Sequence, residues 1–158
     1  KQWDSRWKDY PYGSSTIQHC GCGVTSMAMV IATFCDPSVT PPAMADMSMK
    51  NGGYVWGKGS SMPNVVAAAS KKYKISYKQI TIGDVEKYIK NKKALIIWGC
   101  RTGYFSSSSA GHVMLIRGVT DSGDLLIADP NRTENNTKKF TKDFIDGEAK
   151  YYIAVWKK

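Results

Sequence analysis

Apolar positions crowd the stretch from Gly23 to Phe34, where Val24, Met27, Ala28, Val30, Ile31 and Phe34 recur closely enough to predict a buried helix. Cys22 opens that helix and Asp36-Pro37 closes it. A second helix is predicted after Pro41-Pro42, carrying Met44, Met47 and Met49; this methionine series reads as adaptable packing. Met62 to Tyr73 predicts a third, and Ile82 to about Asn91 a fourth, with Val85, Tyr88 and Ile89 on one face. Between them, Asn51 to Gly59 is a glycine-rich loop without the lysine-serine ending of a phosphate loop, which argues against nucleotide binding.

The pattern then changes to short apolar runs. Ala94 to Trp98, His112 to Val119, Asp124 to Ala128 and Tyr151 to Trp156 read as strands, and Asp121-Ser122-Gly123-Asp124 as a hairpin turn. Helices followed by strands predict an α+β fold, with N-terminal helices packed against a mainly antiparallel β-sheet. With 158 residues and no internal repeat or linker, residues 1–158 are expected to form one domain. No apolar run reaches the roughly 20 residues of a membrane span. The N-terminus has no secretory leader pattern and starts at Lys1 rather than Met, so we expect a piece that can belong to a larger protein.

Charge narrows the choice of partners. Lys and Arg number 22 against 13 Asp and Glu, giving +9, a balance that suits an anionic partner: nucleic acid, acidic lipid or an anionic cell-wall polymer. The lysines are scattered and no nucleic-acid-binding motif is present, so no nucleic-acid partner is expected. Four cysteines do not make a disulfide framework in a chain of this length. Cys20 and Cys22 are too close for an unstrained bridge, and Cys35 and Cys100 are expected as buried thiols. A zinc site from His19, Cys20, Cys22 and a distant cysteine lacks a second tight ligand pair, so neither metal nor cofactor is expected.

Cys22 carries the chemistry. A thiol becomes a good nucleophile when a helix N-terminus and a neighbouring imidazolium favour its thiolate. Only two histidines exist, His19 and His112; partners from distant sequence favour His112, which starts an apolar strand. Asp129, ending another strand, is the expected acceptor that orients the imidazole, with Asn131 as an alternative. Gly21 and Gly23 are expected to allow a tight turn and close substrate approach. The backbone N–H of Cys22 would supply one oxyanion donor and the Gln18 amide the other, with Thr16 as the alternative.

Tyr12-Gly13, Thr16-Ile17 and Gly21 to Met29, together with Gly111-His112, Ile116 to Val119 and Ala128 to Asn131, resemble the papain-like, double-glycine-peptidase-like domains of bacteria and their phages. This family includes leader peptidases of bacteriocin exporters and domains of cell-wall-degrading proteins. The resemblance implies a papain-like fold and a Cys22–His112–Asp129 triad. Val24 stands where the family commonly has proline. Thr16, six residues before the cysteine, occupies the place usual for the oxyanion glutamine.

The expected function is a cysteine hydrolase, lysin-like, cutting an amide bond in bacterial peptidoglycan, outside the cell or carried by a phage. The loops Tyr54-Val55-Trp56-Gly57 and Gly103-Tyr104-Phe105 are expected to line its substrate groove. Two alternatives are a peptidase acting on leader peptides or other proteins, and a wall-binding papain-like module without catalysis.

Overall fold

Helix α2 (Cys22–Phe34) forms where apolar crowding predicts it, in the computed structural model that describes residues 1–158. Gly23 to Ala28, Val30 and Ile31 are all buried, so this helix is enclosed around most of its circumference. It belongs to the first of two compact units, Lys1–Ile75, the second being Ser76–Lys158.

The first unit opens with a turn-rich segment and the short strands β1 (Pro11–Tyr12) and β2 (Ser15–Thr16). One helical turn, α1 (Ile17–Cys20), leads into α2 through Gly21. Helices α3 (Pro41–Lys50) and α4 (Met62–Lys72) pack on α2. Each carries proline in its first turn, where no intrahelical N–H is lost. Met44 and Ala45 of α3, Met62, Val65, Val66 and Ala69 of α4, and Met27 and Ile31 of α2 are all buried in this unit. The glycine-rich loop contains a small antiparallel hairpin, β3 (Tyr54–Val55) with β4 (Gly59–Ser60).

The second unit is built on a five-stranded sheet in the order β5-β9-β6-β7-β8. Its strands are β5 (Ile75–Ile80), β6 (Leu95–Cys100), β7 (His112–Val119), β8 (Leu125–Ala128) and β9 (Ala149–Lys157). The pairs β6–β7, β6–β9 and β7–β8 are antiparallel. Helix α5 (Ile82–Lys92), a 3-10 turn (Thr133–Thr137) and the short helix α6 (Lys142–Glu148) complete it. Trp98, Met114, Ile116, Leu125, Ile127, Phe140 and Ile145 share its core. Mixed helix and antiparallel sheet is the expected class.

Three local expectations need correction or addition. Cys35 is exposed rather than buried, because it caps the end of α2 after the apolar face has run out. Strand β5 has no apolar alternation: only its ends, Ile75 and Ile80, are buried, as suits the edge of a sheet. Helix α6 buries only Ile145, so periodicity does not reveal it; the Thr141 cap, whose hydroxyl accepts from the Phe144 N–H at 3.1 Å, is its signal.

Candidate active site

His112 is set by the residue before it. Gly111 adopts φ +80°, and a Cβ there would fall 2.0 Å from the Cys100 carbonyl oxygen, so only glycine fits. The chain then enters β7 with His112 paired opposite Cys100. Asp129 follows directly after β8, and the antiparallel β7–β8 pairing carries it back to His112. His112 Nε2 lies 2.7 Å from Asp129 Oδ1; the two residues are only 8% and 2% exposed.

The carboxylate has further donors. Its Oδ1 accepts the backbone N–H groups of Asn131 (2.9 Å) and Arg132 (3.1 Å), and its Oδ2 accepts Asn135 Nδ2 (3.1 Å). Burial pushes the Asp129 pKa up, but His112, the Asn131 N–H and the Asn135 amide outweigh it and hold the carboxyl below the ordinary aspartate range. Asn131, the alternative acceptor, therefore serves Asp129 as a backbone donor.

Asn135 and Asn136 were not anticipated from sequence. Asn136 Oδ1 accepts the Asp129 N–H at 2.6 Å, and Arg117 ties the Asn136 and Ile127 carbonyls together at 2.9 and 3.1 Å. An asparagine pair a few residues after a strand-ending aspartate was the available signal.

In the first unit, Cys22 is the first residue of the 13-residue helix α2 and is half-buried. Gly21 and Gly23 are required here by packing. A Cβ on Gly21 would meet the Ile17 carbonyl oxygen at 2.5 Å, and one on Gly23 would meet Met62 Sδ at 2.7 Å. Cys20 is a different thiol. Its Sγ donates to the Thr16 carbonyl at 3.4 Å, and burial raises its pKa above the ordinary value, with Ser15 opposing and Cys22 adding to the shift. His19 is exposed, in the last turn of α1.

Gln18 is half-buried in α1, its N–H bonded to the Lys8 carbonyl at 3.0 Å. Thr16 precedes that helix, with its hydroxyl oxygen buried and making no hydrogen bond. A further amide, overlooked in the sequence, reaches this segment. Gln2 is buried and its Nε2 donates to the Gln18 carbonyl at 2.8 Å.

Of the two expected groove loops, the first presents Trp56, 77% exposed, beside Tyr54, whose hydroxyl is 2.9 Å from Ser14 Oγ. The second is divided: Tyr104 is exposed, whereas Phe105 is buried against Trp98. No three His, Cys, Asp or Glu side chains gather in a metal-binding arrangement.

The model of the Peptidase_C39 like family matches residues 3–158, across both units. The chain belongs to that family. As a Peptidase_C39-like protein it is a cysteine peptidase with a papain-like fold. Among solved structures it is similar to the peptidase domain of Streptococcus ComA, a bi-functional ABC transporter involved in a quorum-sensing pathway. That likeness has a TM-score of 0.62 at 16% identity, covering 87% of this chain and 90% of the other. No curated protein matches the chain. No helix of this C39-like chain is long and apolar enough to cross a membrane.

Proposed function

We propose that this C39-like peptidase uses Cys22, His112 and Asp129 as a triad, its two units forming one papain-like domain, to cut an amide bond in bacterial peptidoglycan. The observation that carries the triad is the buried His112–Asp129 pair. With Asp129 holding Nε2, the other ring nitrogen, Nδ1, is assigned to the Cys22 proton. The N-terminus of α2 stabilises the resulting thiolate.

The thiolate sulfur attacks the amide carbon, and the carbonyl electrons collect on oxygen. The C–N bond then breaks as the His112 imidazolium gives its proton to the leaving amine. Water, activated by the neutral imidazole, hydrolyses the thioester and restores the thiol. The Cys22 N–H is one oxyanion donor. For the second, Gln2 joins Gln18 and Thr16 as a contender, and its buried, hydrogen-bonded amide is the better pre-organised.

The wall substrate is supported by the net charge of +9, suited to an anionic wall polymer, with action outside the cell or from a phage particle. Purified walls should lose turbidity with wild type and not with Cys22→Ala; equal clearing by both overturns the proposal. Family membership also favours a second reading, a peptidase for peptide or protein substrates. Cleavage of peptides without any release of wall fragments selects it.

A further inference from the structure

The loop between β6 and β7 is held by more bonds than its role as a connection requires. Arg101 donates to the Gly147 and Ala149 carbonyls at 2.9 and 2.8 Å, and Lys150 to the Ala110 carbonyl at 3.2 Å. Thr102 Oγ1 bonds the Ser108 carbonyl at 2.7 Å, and the Gly103 N–H bonds the Ser106 carbonyl at 2.8 Å. This fixed loop carries Tyr104, 43% exposed, with its ring 5.3 Å from that of Phe144, 42% exposed. Phe105 and Phe140 pack against them and are buried, so two half-exposed rings stand on a buried aromatic base.

Two cations border these rings. Lys138 Nζ is 3.2 Å from the Tyr104 hydroxyl, and Arg132 Nη1 donates to the Tyr104 carbonyl at 2.7 Å. Neither forms a salt bridge. The Glu148 carboxylate accepts the Tyr104 N–H, so one anion also borders Tyr104, on its backbone side. Arg132 is also a backbone donor to Asp129, so one hydrogen-bonded path joins the shelf to the His112 partner. An apolar face bordered by unpaired cations complements an apolar side chain next to a carboxylate.

We infer that Tyr104, Phe144 and Lys138 form a subsite for an acidic peptide segment of the substrate, an apolar side chain lying on the rings and a carboxylate meeting Lys138. This rests on the hydrolase reading and narrows it: stem peptides of peptidoglycan combine small apolar side chains with carboxylates.

The test uses the full chain as Cys22→Ala, titrated by NMR with the peptide acetyl-Glu-Leu-Glu-Leu-amide and with its Gln-for-Glu counterpart. The acidic peptide should shift Tyr104, Phe144 and Lys138 signals, and the Gln peptide should bind about two- to fivefold more weakly. Lys138→Glu should cost a similar factor and Phe144→Ala about three- to tenfold. Lys78→Glu, the same charge change on exposed β5, should cost nothing. Equal binding of both peptides, or an equal loss from Lys78→Glu, overturns the subsite. So does thiol-dependent hydrolysis by wild type with no shifts at these residues. A wild type inactive on walls and peptides, with the titration as expected, overturns the hydrolase reading alone.

Discussion

At the residue scale, Asp129 is the group whose protonation reports on the site. Its folded pKa lies below the ordinary value, so its ionisation stabilises the fold above about pH 4, and that contribution is lost as pH falls through the folded value. Asp129→Asn should flatten the decline in stability as pH falls below about 4, read by urea unfolding at each pH. It should also lower kcat by about two to four orders of magnitude, because an amide no longer favours the protonated ring. The oxyanion donors make a second comparison. Gln2→Ala should reduce kcat by about 10²–10³ with KM nearly unchanged, and Gln18→Ala by far less. The reverse ranking, in steady-state kinetics on wall fragments, would restore Gln18 to the role the sequence suggests. Cys22, His112 and Asp129 stand out as candidates in the sequence because each stands at the end of an element with a distinct apolar pattern, and the structure pairs His112 with Asp129. The proposed donor Gln2 does not stand out: it lies in an irregular segment, and its burial depends on the turn that brings it to the Gln18 carbonyl.

At the element scale, the register of β6 against β7 depends on Gly111. Gly111→Ala places a Cβ against the Cys100 carbonyl and forces a left-handed backbone on a residue that avoids it. It should destabilise the fold by at least about 1–3 kcal/mol, measured by chemical denaturation, and reduce activity through His112. Helices α2, α3, α4 and α5 were legible because each repeats apolar residues at helical spacing. Strand β5 and helix α6 were not, since each buries so few side chains that neither period appears. Cys35 was misread for a related reason. An apolar neighbourhood in sequence does not show that a helix ends one residue earlier and turns the next side chain outward.

At the scale of the whole molecule, the charge of +9 should make the proposed wall association salt-dependent. Binding of Cys22→Ala protein to purified walls should weaken steadily as ionic strength rises from about 50 to 500 mM, measured by co-sedimentation; a salt-independent affinity would point to uncharged contacts instead. The chain by itself determined the α+β class and the order of its main elements, and it offered candidates for a thiol site, because periodicity, turn residues and chemical type are local properties. Only the tertiary structure decided that His112 meets Asp129 through Nε2, and that Asn131, Asn135 and Asn136 hold the carboxylate and its backbone. It alone separated exposed Tyr104 from buried Phe105. The first depends on the β7–β8 register, which brings side chains 17 residues apart into contact. The others depend on how the turn after β8 and the β6–β7 loop fold back, and no local pattern specifies either.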